Sequence, residues 1–192
     1  MPSLYTKNYY YRGETREGNL KNGFGIQIQK STEFQGQWMN GQVQGVGTLY
    51  QRRGAISRLS PHDRPIYQGE WVDGKRHGFG RQWDSLGHYE GTWKFGKRSG
   101  EGKTMTPDGA VHVGLYDEDE FDGPGLMSLP NGSVFRGTWS KGVKEGFGSL
   151  SFGNGRVLQG EWVQGKCHDG EISGGKELPV CGLKEHLFLT TD

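Results

Sequence analysis

A short pattern of aromatic residues and glycines recurs along this chain about every 23 residues. Each copy begins with tyrosine or phenylalanine, has glycine two residues later and tryptophan two residues after that, and continues as Gly-x-x-x-Gly-x-Gly. Five of the six tryptophans occupy the same position of the pattern. Such self-similarity is typical of a repeat protein, in which each copy is one structural unit that stacks on its neighbours.

Seven copies can be counted, and five of them are sound. The fifth copy is weaker than its neighbours, because Tyr116 and Asp119 stand where tryptophan and glycine are expected. The first and last copies are degraded, as end units that face solvent on one side should be. The copies begin near Tyr11, Phe34, Tyr67, Tyr89, His112, Phe135 and Leu158. We therefore assign residues 1–171 to the repeat array and residues 172–192 to a C-terminal capping tail.

The composition indicates an ordered protein without a general affinity for polyanions. Only 31% of residues are hydrophobic, a balance that indicates disorder unless the apolar residues are in register, as they are here. The net charge of +1 produces no long-range field, so we expect no nucleic-acid partner. No apolar run approaches the roughly 20 residues that span a bilayer, and the first residues lack a signal-peptide core. We expect a cytoplasmic protein.

The two cysteines, Cys167 and Cys181, predict neither a disulfide framework nor a metal site. Structural zinc sites usually pair cysteines that lie close together in sequence, whereas thirteen residues separate these two. Adding His168 and His186 to the set does not give the usual spacing of zinc ligands. We therefore predict two reduced cysteines and no cofactor.

Each copy of the pattern predicts a β-hairpin. Tyr67, Gly69 and Trp71 are two residues apart, so they project from one face of an extended strand. Asp73 and Gly74 are a favoured pair for a tight hairpin turn, and a second extended segment follows them. Consecutive hairpins pair edge to edge through further glycine-rich turns. The predicted fold is all-β: one elongated, twisted antiparallel sheet of about seven hairpins.

The mid-strand glycines predict where the aromatic rings pack. A glycine such as Gly69 or Gly80 weakens a strand on its own account, so its recurrence implies that a neighbouring tryptophan ring lies flat on the backbone there. The core is therefore predicted to consist of Trp38, Trp71, Trp93, Tyr116, Trp139 and Trp162.

Residues 67–80, Tyr-Gln-Gly-Glu-Trp-Val-Asp-Gly-Lys-Arg-His-Gly-Phe-Gly, resemble a MORN (membrane occupation and recognition nexus) repeat. The resemblance covers about residues 11–171. It implies a sheet of hairpins, no catalysis within the repeats, and use as a protein-binding scaffold, often in cytoskeletal or ciliary assemblies. It also implies phospholipid binding as an alternative.

Two other segments resemble ligand-binding motifs, but their residues do not have the spacing that those motifs require. Gly100-Glu101-Gly102-Lys103-Thr104 resembles the end of a phosphate-binding loop but lacks the earlier glycine and a following helix. The acidic run that begins at Asp117 does not fit an EF-hand, because Phe121 falls on a ligand position. The histidines are dispersed, and an open sheet offers no enclosed pocket for catalysis. We expect no enzyme activity.

Two sets of residues are our candidate partner-binding sites. The first is an aromatic trough with partly exposed rings, which would accept a helix or an extended segment through apolar anchors. Its predicted residues are Tyr67, Trp71, Tyr89, Trp93, Tyr116, Phe135 and Trp139. The second is a charged rim with an insertion: Arg52, Arg53, Arg58, Lys75, Arg76, Lys97, Arg98, Asp117, Glu118, Asp119 and Glu120. Because the rim is split by sign, it suits a protein partner better than a flat anionic membrane.

Three alternatives stay open at this point. Basic residues of the hairpin turns would serve weak binding of anionic lipid, or simply keep the sheet soluble. The insertion at residues 51–66 is either a binding loop or a tolerated long turn. The tail covers the last strand edge or reaches a neighbour, and unpaired terminal strands favour homo-association.

Overall fold

The structure, a computed structural model, describes residues 3–5, 9–52 and 64–174 of the 192. These residues form fifteen strands, which follow one another in chain order in a single antiparallel sheet. The predicted all-β class and the sheet of hairpins are confirmed. The strands are β1 (Ser3–Tyr5), β2 (Tyr9–Arg16), β3 (Leu20–Gln29), β4 (Thr32–Met39), β5 (Gln42–Gln51), β6 (Arg64–Val72), β7 (Lys75–Asp84), β8 (Gly87–Lys94), β9 (Lys97–Met105), β10 (Val111–Asp117), β11 (Glu120–Ser128), β12 (Val134–Ser140), β13 (Val143–Ser151), β14 (Val157–Val163) and β15 (Lys166–Ser173).

The chain divides into two compact units, Met1–Arg98 and Ser99–Asp192, and each is treated by itself below. In the first unit, β1 pairs with β2, and the hairpins are β2–β3, β4–β5 and β6–β7. In the second unit, the hairpins are β10–β11, β12–β13 and β14–β15. A single 3₁₀ turn, Glu17–Asn19, joins β2 to β3 within the described part of the chain.

The hairpins turn within two residues that both have positive φ, the mark of a type I′ turn. Asp73 and Gly74 have φ values of 50° and 74°. The turn is also tied to the preceding hairpin, because the Gly74 amide donates a hydrogen bond to the Val43 carbonyl at 2.9 Å. The same pair of positive angles occurs at Asn40 and Gly41, Lys141 and Gly142, and Gln164 and Gly165.

In three hairpins of the first unit, a bulge follows the turn and is held by a side chain from the partner strand. In β7, Gly78 has a φ of 56°, and the register with β6 shifts between Gly69 and Glu70. A bulge disrupts the ladder of backbone hydrogen bonds locally. Here the Glu70 carboxylate accepts a hydrogen bond from the Phe79 amide at 2.9 Å. In the same way, the Glu14 side chain accepts a hydrogen bond from the Phe24 amide, and the Gln37 side chain accepts one from the Val46 amide.

Longer turns connect one hairpin to the next, as the sequence predicts. The amides of Gly109, Gly132 and Gly155 donate to carbonyls three residues earlier at 3.0, 3.0 and 2.9 Å. Asn131 and Asn154 add side-chain oxygens that accept from the backbone two residues on. These short-range bonds fix the register in which each new hairpin begins.

Candidate functional site

One face of the sheet carries a row of packed rings, which we call the aromatic ladder. It uses the first and fifth positions of the repeat, whose side chains share a face as the two-residue spacing predicts. In the first unit its members are Tyr11, Phe34, Trp38, Tyr67, Trp71, Tyr89 and Trp93. In the second unit they are His112, Tyr116, Phe135, Trp139 and Trp162.

Rings of the ladder meet edge to face within and between hairpins. The Tyr67 ring lies 4.9 Å from the Trp71 ring of its own hairpin and 5.3 Å from Trp93, centroid to centroid. In the second unit, Phe135 lies 4.9 Å from Trp139 and 4.8 Å from Trp162. Such perpendicular pairs stabilise a core beyond the area that they bury. The rings of each hairpin therefore pack both on one another and on the rings of the next hairpin.

Paired glycines make the room that each ring needs. A Cβ added to Gly80 would stand 2.2 Å from the Tyr67 hydroxyl oxygen and 2.5 Å from Cζ of the same ring. A Cβ on Gly69 would meet the Cα of Gly80 at 2.5 Å. Real Cβ atoms do not approach so closely, so only glycine allows the ring to lie on the backbone. The prediction of a tryptophan ring over Gly69 and Gly80 is wrong, because the ring there is that of Tyr67.

Some polar atoms of the ladder donate to backbone carbonyls of the sheet, whereas Trp38 Nε1 and Trp162 Nε1 have no hydrogen-bond partner in the structure. The Tyr67 hydroxyl donates to the Glu70 carbonyl at 3.1 Å, and Trp71 Nε1 donates to the Gly47 carbonyl at 3.1 Å. Burial raises the pKa of Tyr67 above its ordinary value. Tyr11 and Tyr89 repeat the hydroxyl bond, each to the residue three positions later. The tyrosines are thus neutral structural members of the core.

The predicted aromatic trough requires a correction. All seven of its rings are buried, with exposed fractions of 7% or less. The expectation of partly exposed rings at Tyr67, Trp71, Tyr89, Trp93, Tyr116, Phe135 and Trp139 is therefore wrong. The reason is physical: the glycines let the rings sink onto the backbone, neighbouring rings seal their edges, and long side chains cover several of them.

Many of those covering side chains are cations, which we call the cation row: Lys21, Arg76, Arg98 and Lys144. The Arg76 guanidinium lies 5.3 Å from the centre of the Tyr67 ring and 5.0 Å from Trp93. Lys144 Nζ lies 4.7 Å from Phe135, and Lys21 Nζ lies 4.4 Å from Trp38. A cation over a ring face is attracted by the ring quadrupole. Burial nevertheless lowers the pKa of both lysines.

Sequence reasoning placed only part of the cation row. Arg76 and Arg98 were expected on the charged rim, and Lys21 was not singled out. Their position in the repeat is the sequence signal that could have identified them. Arg76, Arg98 and Lys144 each stand two residues after a turn glycine. Val43 and Cys167 interrupt that rule in other hairpins. The covering role depends on the alternation of side chains after the turn, which a search for clustered charge overlooks.

The charged rim divides between the two faces. Lys75 and Lys97 are exposed, whereas Arg76 and Arg98 are half-buried over the ladder. In the second unit, Asp117, Glu118 and Glu120 are exposed and Asp119 is half-buried at the turn. Adjacent basic residues of one turn thus serve different surfaces.

Arg52 also requires a correction. It lies 3.8 Å from the Glu33 carboxylate, and the two side chains are only 3% and 4% exposed. A charge in that setting is retained because it is paired. The expectation that Arg52 lies on an accessible binding surface is therefore wrong. Arg53 and Arg58 lie outside the described residues, as do 53–63 of the predicted insertion and 175–192 of the predicted tail.

His112 takes the place of tyrosine or phenylalanine in the β10–β11 hairpin. Its ring stacks on Phe121 with centroids 3.6 Å apart, and Nδ1 lies 3.3 Å from the Tyr116 hydroxyl. Burial lowers the pKa of His112 to about 4. The ring is therefore neutral at neutral pH and acts as a member of the ladder.

The described residues offer little for other chemistry. They contain no group of three or more His, Cys, Asp or Glu side chains that is arranged to hold a metal. Cys167 is half-buried, while Cys181 and His186 lie outside the described part of the chain. Among the residues that the structure describes, no helix has the length and apolar character to cross a bilayer.

Successive hairpins, glycine seats and a shared row of rings define a β-hairpin repeat protein. The sequence model for the MORN repeat matches residues 34–55, 67–85, 89–111, 112–134, 135–155 and 159–168, more than half of the chain. The chain belongs to the MORN repeat family, as the resemblance predicted. These repeats are known in modules that interact with proteins or with membranes. A comparison with curated proteins finds no match.

The β2–β3 hairpin lies before the first matched segment, yet it has the same construction. Tyr11 lies over Gly13 and Gly25 as Tyr67 lies over its glycines. Its hydroxyl donates to the Glu14 carbonyl at 2.8 Å. The loss of tryptophan at Thr15 therefore weakens the sequence pattern without changing the local fold.

Proposed function

We propose that this chain is a non-enzymatic scaffold of a larger intracellular assembly, and that it binds an acidic helix or extended segment of a protein along the ladder face. The observation that carries the proposal is the cation row, which recurs over buried rings in both units. The family itself is generally non-enzymatic. A cytoskeletal assembly, such as that of a cilium or flagellum, is the setting we propose for this scaffold.

The cations and the surface between them, rather than the rings, would contact such a partner. Arg76 and Arg98 belong to consecutive turns, and two strands occupy about 10 Å across a sheet. Seven residues of a helix rise by about 10.5 Å. A helix lying across the strands would therefore bring an acidic side chain to each cation once in every two turns.

An acidic partner would also offset the cost of burying the lysines on the ladder face. Burial disfavours the charged forms of Lys21 and Lys144, as their lowered pKa values indicate. A carboxylate within a few ångströms favours the charged form of a lysine. Binding would thus stabilise the ammonium groups over the rings.

Affinity purification with quantitative mass spectrometry tests this proposal. A variant with Arg76→Gln, Arg98→Gln and Lys144→Gln should lose the proteins that the wild-type chain retains. The matched control, Lys30→Gln, Lys103→Gln and Lys141→Gln, removes three exposed charges elsewhere and should retain them. Thermal unfolding establishes that both variants are folded. Equal retention by the two variants would refute a role for the cation row.

Peripheral binding to anionic lipid is the second candidate, and one observation favours it: Lys75 and Lys97 are exposed at neighbouring turns. Each basic residue near an anionic surface contributes about 1 kcal/mol. Flotation with phosphatidylserine vesicles at low and high salt tests it. Strong flotation that salt abolishes would support the lipid function, and no flotation at low salt would exclude it.

A further inference from the structure

A second surface of the first unit combines aromatic and basic side chains near two hairpin turns. We call it the turn patch: Phe95, His77, Phe79, Lys75, Lys94 and Lys97. Arg76 points to the ladder, so the next residue, His77, projects from the opposite face. Phe95 packs on His77, with ring centroids 5.1 Å apart. The turn patch is thus separate from the ladder face.

Phe95 occupies a backbone conformation that does not suit it. It is the first residue of its turn and has a φ of 49°. Equivalent positions hold Asn40, Asp73, Lys141 and Gln164. Asparagine and aspartate tolerate this region, whereas a bulky residue there is an outlier.

The type I′ turn requires a positive φ at this position, but it does not require an aromatic side chain, because Lys141 and Gln164 occupy equivalent positions with nearly the same angle. The Phe95 side chain is 56% exposed, and Phe79 beside the patch is 50% exposed. Neither ring contributes to the ladder. Strained residues that remain exposed tend to mark functional sites, and aromatic side chains are frequent anchors of protein interfaces.

The charge around Phe95 is strongly positive. Residues 72–77 and 94–98 include five cations and a single carboxylate, Asp73. Arg76 and Arg98 lie over ladder rings, which leaves Lys75, Lys94 and Lys97 exposed on the patch. A complementary occupant carries negative charge near an apolar group.

We propose that the turn patch binds an acidic segment of a protein partner, which places an apolar side chain beside Phe95. A segment of a protein fits this surface better than a flat anionic membrane does. The same face also carries Glu70, which accepts a hydrogen bond from the Phe79 amide, and Glu90, which pairs with Arg81 at 2.9 Å. A bilayer lying flat on that face would meet both carboxylates, whereas a narrow segment can follow the turn residues Lys75, Phe95 and Lys97.

A random 16-residue peptide library displayed on phage, selected on the immobilised full chain, tests the proposal. Peptides enriched on the wild type should carry aspartate or glutamate around a leucine or aromatic residue. Phe95→Asn should weaken their binding at least tenfold, measured by fluorescence anisotropy with the selected peptides. The same substitution should raise Tm by about 2–4 °C, because asparagine relieves the turn. A loss of binding together with higher stability cannot result from misfolding.

Leu86→Asn is the matched control, since Leu86 is an exposed apolar residue of another turn and should not affect binding. Enriched peptides that lack acidic residues, or that bind Phe95→Asn equally well, would overturn the proposal. So would a lower Tm for Phe95→Asn, which would give Phe95 a structural role. Vesicles of phosphatidylserine and phosphatidylcholine serve as the other arm. Suppose that the chain binds these vesicles, that the binding depends on Phe95, and that the selection yields no acidic peptides. The turn patch would then be assigned to membranes instead.

Discussion

The β6–β7 and β10–β11 hairpins follow the same plan but differ in what lies at the first repeat position. In β6–β7, Tyr67 spans its glycines, bonds Glu70 through its hydroxyl and lies under the Arg76 cation. In β10–β11, the smaller His112 lies under Phe121, and its Nε2 has no hydrogen-bond partner in the structure. The Arg76 cation therefore covers Tyr67, whereas the Phe121 ring covers His112.

The difference teaches that one scaffold tolerates two ways of covering its core. The Arg76 cover presents charge to solvent, whereas the Phe121 cover presents an apolar ring and buries a titratable group. The first arrangement makes the ladder face basic. The second makes the stability of the hairpin sensitive to pH.

The largest expected effect is the loss of the Tyr67 ring. Tyr67→Ala should lower the free energy of unfolding by about 4 kcal/mol, because it removes a buried ring that two tryptophans contact. Tyr67→Phe should cost only about 1 kcal/mol, the value of one hydrogen bond. His112→Ala should cost about half as much as Tyr67→Ala, since the ring is smaller and one nitrogen is unpaired. Urea unfolding measures all three, and equal losses at the two alanine variants would break the comparison.

The next effect is a dependence on pH that His112 gives to the β10–β11 hairpin. Burial lowers the pKa of His112 from 6.5 to about 4, so the unfolded chain takes up this proton first as the pH falls. The contribution of neutral His112 to the free energy of unfolding is complete above pH 6.5 and is lost progressively as the pH falls from about 6.5 to about 4. This contribution amounts to about 3 kcal/mol.

The His112→Phe variant isolates that effect, because the other ionisable groups remain. The difference in unfolding free energy between the wild type and His112→Phe should change across this pH range and stay constant above it. A difference that does not vary with pH would show that His112 titrates normally in the folded chain.

The smallest effect concerns the glycine seats. Gly80→Ala should cost about 2 kcal/mol, since the added Cβ would overlap the buried Tyr67 ring. At the equivalent Gly125, the nearest atoms are His112 Nε2 and the Val113 carbonyl oxygen, both at 3.0 Å, so Gly125→Ala should cost about half as much as Gly80→Ala. Thermal unfolding of both variants checks the order. A larger loss at Gly125 would mean that the smaller ring leaves no extra room.

Much of the fold could be predicted from the sequence because glycine and aromatic residues have few alternative uses at this spacing. Asp73 and Gly74 predict the turn, and Gly69 with Gly80 predicts a seat for a ring, although Tyr67 rather than a tryptophan occupies it. The burial of the rings was harder to predict, because it depends on how far a ring sinks onto two adjacent glycines. The pairing of Arg52 with Glu33 joins the residue after β5 to a residue of β4, 19 positions apart in the sequence, and no local sequence pattern predicts it.

The candidate surfaces were only partly predictable for a related reason. Lys75 and Arg76 look equivalent in the sequence, and clustered charge predicts one basic rim. The strand that begins at the turn sends them to opposite sides, and this alternation decides which cation reaches the rings. Phe95 gave no sequence signal, since its unusual feature is a backbone angle.

The divergence of Lys75 and Arg76 has an evolutionary consequence. Two neighbouring codons control chemically independent surfaces, so a substitution at one can change a recognition preference without disturbing the other. Duplicating such a hairpin copies both surfaces at once, after which each is free to specialise. A sheet of such hairpins can change the chemistry of its two faces independently, by small mutational steps.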